Sequence, residues 1–227
     1  MFRRIIFAAA LAGLIAGVFA TAFQWLRVIP LILEAETYEA AAAATAGHDH
    51  DATVDEAAAE EWSPADGVER TFYTLLFNVL TGIGFALLLG AAFAMTGESN
   101  WRRGVYWGLA GFATFMLAPA LGLPAEIPGA AAAPLIDRQM WWLATVSATG
   151  LGLALMFRTR GAKWIAAGAV LIAAPHLIGA PQPADHGGLA PEGLARDFAV
   201  AALVSGFLFW LVLGALSGFL YERLKSH

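Results

Sequence analysis

The chain has 227 residues, of which 59% are hydrophobic and only 14% charged, against about 25% charged in soluble domains. Its net charge of −5 argues against a nucleic-acid partner. The absence of cysteine excludes disulfides, thiolate metal sites and thiol catalysis.

Six apolar stretches follow in chain order, at residues 5–29, 72–95, 104–121, 139–157, 163–180 and 198–220. Each holds about 18 to 25 mostly uncharged residues, enough to cross a hydrocarbon core of about 30 Å as a helix. The expected class is therefore all-α, a polytopic helical membrane protein forming one integral membrane domain over residues 1–227. Threading the stretches in order places Arg3, Arg4, Arg102, Arg103, Arg158, Arg160, Lys163, Arg223 and Lys225 on one face. Only Arg27, Arg70, Arg138 and Arg196 fall on the other. By the positive-inside rule the first face is cytoplasmic, and so are both termini. The basic start and small residues of 1–22 resemble a secretory signal, but the apolar run continues through Phe23, Trp25 and Ile29. It reads as an uncleaved first helix; cleavage would leave five spans.

Sixteen of the eighteen Asp and Glu residues fall on the outer face, eleven of them between Glu34 and Glu69. Such a mouth concentrates cations, although residues 40–60 also read as a solvated, partly disordered loop. Residues 34–69 are thus expected as an acidic, histidine-containing outer loop. Within it, His48, Asp49, His50 and Asp51 offer imidazole and carboxylate ligands suited to divalent first-row metals. In an extended chain both histidines point to one side; the alternative is an ordinary polar stretch. Glu34 and Glu36 follow Pro30, and were the helix to continue, Glu36 and Glu39 would share a face. They would then receive a hydrated cation or merely solvate a helix end.

The spans also read as three similar hairpins. Each outward helix ends near a proline (Pro30, Pro119, Pro175), and each inward helix opens with an arginine beside an acid (Glu69-Arg70, Asp137-Arg138, Arg196-Asp197). Prolines late in helices free a carbonyl one turn back, here near an outer vestibule. The arginines are expected first as interfacial anchors that pair with a neighbouring acid or another hairpin. Gly13-Gly17 and Gly104-Gly108 have GxxxG spacing, and with Gly82, Gly84, Gly90, Gly214 and Gly218 they predict close helix packing. Trp25 and Trp210 are expected to pack within the bundle. Asn78, Thr81, Thr145, Ser147 and Thr149 are polar groups inside spans.

His176 follows Pro175 near the end of an apolar span, and ionisable groups at such depth are functional candidates. Its other reading is a helix C-cap. His186, after Asp185, would extend the same outer site. No phosphate-binding loop, HExxH helix or nucleophile elbow is present, so no enzyme is expected.

Several stretches resemble the CbtA family, a predicted cobalt transporter subunit of bacteria. They are MFRRIIFAAALAGLIAGVFATAFQ at the start, LGLPAEIPGAAAAPLIDRQMWWLATVSATGLGLAL at 121–155, APHLIGAPQP at 174–183 and ARDFAVAALVSGFLFWLVLGALSGFLYER at 195–223. The resemblance implies a multi-pass protein of the bacterial inner membrane that takes up cobalt for cobalamin synthesis. Co²⁺ would be cargo, with no permanently bound cofactor. It implies a small CbtB-like, His-rich, single-span partner beside membrane lipid, and leaves a homo-oligomer open. Families of this kind are described with about five spans, against six here. A different class also fits the chain, a non-transporting scaffold or assembly subunit of a metal-uptake or cobalamin system.

Overall fold

The computed structural model describes residues 2–46, 64–97, 100–158, 161–184 and 187–224. The described residues are helical apart from connections and one isolated bridge. The helices are α1 (Phe2–Arg27), α2 (Ile29–Ala46), α3 (Val68–Thr96), α4 (Trp101–Phe112), α5 (Ala118–Ala120), α6 (Leu135–Arg158), α7 (Ala162–Ile178) and α8 (Glu192–Arg223). A π-helical turn, Ala113–Leu117, joins α4 to α5.

Four helices, α1, α3, α6 and α8, are long and apolar enough to cross a membrane. The other two apolar stretches are a 17-residue helix, α7, and the run from Trp101 to Ala120, which the π-turn interrupts. Large apolar side chains face outward along these helices, among them Phe7, Leu14, Leu76, Leu80, Val170 and Val204. An exposed apolar belt of this kind suits lipid rather than water.

The helices pair where side chains are absent. A Cβ on Gly13 would lie 2.6 Å from Ile83 Cα, and one on Gly17 2.6 Å from Val79 Cα. α1 and α3 therefore meet backbone to backbone and antiparallel. Gly104 and Gly108 of α4 sit against Gly214, Gly218 and the Trp210 carbonyl of α8 in the same manner. Gly152 of α6 meets Gly168 of α7. Lipid offers apolar side chains no less than a neighbouring helix does, so close van der Waals contact decides which helices associate. The glycine expectation holds at Gly13, Gly17, Gly82, Gly104, Gly108, Gly214 and Gly218, did not include the Gly152–Gly168 contact, and fails at Gly84, where a Cβ would meet nothing within 4 Å.

This pairing corrects the expectation of three like hairpins. Of the three expected hairpins, only α1 with α3 packs along its length; α4 takes α8 as its main partner, and α6 takes α7. The second hairpin touches chiefly through the π-turn and α5 against α6. The reason is physical: the glycine faces of α4 and α8 fit each other, whichever helix follows in sequence.

The contacts define two ends. At the basic end, Arg4 Nη2 donates to the Tyr221 hydroxyl at 3.2 Å and its guanidinium lies 4.6 Å from that ring's centre. Arg102, Lys163 and Arg223 rest on Trp101, Trp164 and Phe219. The acidic end holds the close of α1, α2, and the starts of α3, α6 and α8. In the core between them Trp210 stacks on Phe115, 5.7 Å between centres and 7° between planes. Trp210 is buried as expected, whereas Trp25 is 58% exposed at the end of α1 and does not pack.

Substituting Gly104 by valine is expected to destabilise the detergent-solubilised protein by about 1–3 kcal/mol, the usual range for overpacking. Gly84→Ala should leave stability unchanged or raise it. Thermal unfolding of both variants checks the contrast.

Candidate functional site

The acidic end is built by a turn at Val28, where α1 gives way at once to α2. Val28 N–H donates to the Gln24 carbonyl at 2.8 Å, and the Val28 carbonyl accepts from Leu31 and Ile32 at 3.1 and 3.2 Å. Pro30 cannot donate, yet it sits in the first turn of α2, where no donor is required. The chain therefore turns at Val28 and continues as helix to Ala46. Residues 34–46 of the expected loop are thus helical.

Burial orients α2. Val28 and the fully buried Ala35 pack on Ile127, Leu194 and Phe198, with Leu31 and Ile32 alongside. Glu34 is exposed, while Glu36 is turned toward α3. There Arg70 Nη1 and Nη2 donate to the two Glu36 carboxylate oxygens at 2.8 and 3.2 Å. Arg70 Nη2 also meets Asp66 at 2.6 Å. The adjacent Glu69 instead accepts from the Ala65 N–H at 3.3 Å. A second pair, Arg138 with Glu126, ties the start of α6 to the preceding loop. In both cases the partner is not the acid next in sequence. Arg196 is exposed.

Below the Glu36–Arg70 pair, Asn78 Nδ2 donates to Thr21 Oγ1 at 3.0 Å and to Gln24 Oε1 at 2.8 Å. Thr21 in turn donates to the Gly17 carbonyl at 2.9 Å. Asn78 lies ten residues into α3, about 15 Å along the helix. A cavity of about 540 Å³ reaches from the ion pair to this cluster, between α1, α2 and α3. Asn78 is legible as a polar residue within an apolar run; Thr21 and Gln24 carry the same signal in the first stretch, and the structure adds them to it.

The loops after α5 and α7 meet over the same end. Ala131 N–H donates to the Gly187 carbonyl, and Leu189 N–H to that of Gly129, both at 3.1 Å. Gly129 has φ 72°, and a Cβ there would lie 2.9 Å from Glu39 Cγ. Backbone conformation and the approach of α2 both require glycine at this position.

His176 stands apart from this cluster, on α7 against α6. Trp141 Nε1 donates to the Pro175 carbonyl at 3.2 Å, and the Trp141 ring meets the His176 ring edge-on at 5.7 Å. His176 Nε2 is buried without a hydrogen-bond partner. Deep in the bundle, Thr149 and Ser217 hydroxyls are similarly unpartnered. Near Thr114 a largely apolar cavity of about 390 Å³ is walled by Phe85, Trp107, Phe115 and Trp210. The π-turn beside it ends with Ala118 N–H donating to the Ala113 carbonyl, just before Pro119. Such turns recur at functional sites.

Of the residues expected to contact metal, Glu34, Glu36 and His176 are described; His48, Asp49, His50, Asp51 and His186 lie outside the described residues. Glu34 and Glu36 leave α2 in different directions, and His176 belongs to another helix pair. Among the described residues no group of three or more His, Asp or Glu could hold a metal ion.

Trp141→Phe removes the bond to Pro175, worth about 1 kcal/mol, roughly a fivefold change in an opening equilibrium. Carbethoxylation mapped to His176 is expected to accelerate accordingly. An unchanged rate would show that this bond does not protect the imidazole.

No curated protein and no solved structure matches the chain. A family model does, described as probable cobalt transporter subunit (CbtA), and the match runs over residues 2–222. With nearly the whole sequence covered, including every described apolar helix, the chain belongs to the CbtA family of probable cobalt transporter subunits.

Proposed function

We propose that the chain is the channel-like subunit of a cobalt uptake system in the bacterial inner membrane, supplying cobalamin synthesis. Membership of a cobalt transporter subunit family is the observation that carries this reading. The acidic end supports it, since carboxylates gathered there draw divalent cations. All six apolar helical runs then cross the bilayer, α7 and the interrupted run included, with both termini cytoplasmic. The basic end, where cations lie on aromatic rings, faces the cytoplasm.

In this reading His48, Asp49, His50 and Asp51 capture Co²⁺ outside, with Glu34 and His186 at the rim. Glu36 receives the ion at the mouth, and the unpartnered Nε2 of His176 is a second contact after local opening. A cysteine-free, oxygen and nitrogen ligand set suits Co²⁺ better than soft metals, with Ni²⁺ and Zn²⁺ as competitors. An inside-negative potential favours entry by about 2.3 kcal/mol per charge per 100 mV, twice that for a divalent ion. A small His-rich single-span subunit of CbtB type is the proposed partner.

One observation favours a second reading: among the described residues no three His, Asp or Glu side chains converge on a metal site. A scaffold that recruits another permease would need no such site. Labelled Co²⁺ uptake in cells lacking other cobalt importers separates the two. Uptake that requires this chain and falls about tenfold, ~1.4 kcal/mol, in His48→Ala/His50→Ala supports the channel. Uptake insensitive to those residues and to His176→Ala supports the scaffold.

Orientation has its own test, because the chain has no cysteine. Ala43→Cys should react with an impermeant maleimide in intact spheroplasts, and Ser226→Cys only after permeabilisation. The reverse labelling would overturn the proposed topology.

A further inference from the structure

The cavity of about 540 Å³ between α1, α2 and α3 has two unlike halves. Its mouth holds Glu36, with a side chain 33% exposed, clasped through both oxygens by Arg70, which also takes Asp66. Its floor holds Gln24 and Asn78. Asn78 commits its amide group to Thr21 Oγ1 and Gln24 Oε1, so its remaining capacity is a carbonyl oxygen, which only accepts. Thr74, on the wall, donates its hydroxyl to the Arg70 carbonyl at 2.8 Å and keeps lone pairs. The polar lining is therefore oxygen-rich around a single cationic side chain.

That side chain is imperfectly held. Arg70 Nε is buried with no acceptor, and Asp66 is two-thirds exposed. The guanidinium brings one positive charge to two carboxylates, whereas a divalent ion would neutralise both. Oxygen donors of carboxylate, amide and hydroxyl type are those that hard divalent cations accept, with some water retained.

We propose that this cavity is a binding site for a partly hydrated, oxygen-preferring divalent cation. Arg70 occupies the Glu36 and Asp66 carboxylates as a tethered counter-ion until the cation displaces it. Gln24 and Asn78 supply the inner oxygens. The proposal deepens the transport reading, and rests on it for the identity of the cargo. A site of this donor type discriminates little between Co²⁺, Mn²⁺ and Mg²⁺, so it would serve entry and dehydration rather than selection.

Mn²⁺ is the appropriate probe, because it favours oxygen over imidazole and so reports this cavity more than the histidines. Binding is read as loss of the free Mn²⁺ EPR signal on the purified full-length chain in detergent. Arg70→Gln should tighten binding at least about tenfold, and Arg70→Lys, which keeps the charge but loses the fork, should tighten it less. Adding Glu36→Gln or Asn78→Leu to Arg70→Gln should abolish the gain, while Asn78→Asp alone should tighten binding. Arg70→Gln without effect, or a gain that survives both added changes, overturns the site. So does weaker binding in a folded Asn78→Asp chain. Cells in which the wild-type chain takes up no cobalt would sink the transport reading and leave these binding results standing. Intact uptake beside an absent Arg70→Gln effect would sink the site alone.

Discussion

Backbone contact between helices is the constraint on which the other features rest. Where Gly13 and Gly17 meet Gly82, Ile83 and Val79, no side chain separates α1 from α3. That closeness brings Asn78 within hydrogen-bonding distance of Thr21 and Gln24. Interhelical hydrogen bonds in membranes average about 0.6 kcal/mol, too little to impose the pairing. The bonds exploit an approach that the glycines permit. The same contact sets the floor of the cavity and, through the turn at Val28, the position of Glu36 opposite Arg70.

A second consequence concerns the two ends. Packed helices of small and apolar residues leave charges only at the termini, and the charges sort by sign. At the basic end cations lie on aromatic rings, where ring faces and stems of long side chains suit an interface. At the acidic end the arginines are not so placed. Arg70 and Arg138 pair with carboxylates from other elements, and the loops around Gly129 and Gly188 close over α2. Among the described residues, the acidic end is thus tied together by ion pairs and loop-to-loop hydrogen bonds.

Much of this was legible in the sequence, for reasons that can be named. Length and hydropathy gave the four long apolar helices α1, α3, α6 and α8, since a bilayer-long apolar run has few other solutions. GxxxG spacing located the close contacts of α1 and α4, though not that of Gly152 with Gly168. It could not name the partners, because a glycine face on α4 fits α6 or α8 equally until shapes are compared; the expected hairpins failed there. Glu36 was legible as a mouth residue, but its capture by Arg70 depends on α2 remaining helical after Pro30. Proline reads as a helix end or a helix start, and here it opens α2. His176 was visible from its depth, whereas the Trp141 bond to Pro175 beside it depends on α6 pairing with α7. Gln24 and Thr21 belong to no motif, and their role depends on α3 bringing Asn78 within reach.

In the proposed reading this chain itself conducts the cation from its acidic end, instead of assisting another permease. Co²⁺ influx into proteoliposomes holding only the purified chain and its small partner tests it most directly. An imposed inside-negative potential is predicted to drive saturable influx, and external Mg²⁺ in excess to slow it. Vesicles with inserted, folded chain that remain tight to Co²⁺ under the same potential would contradict the account.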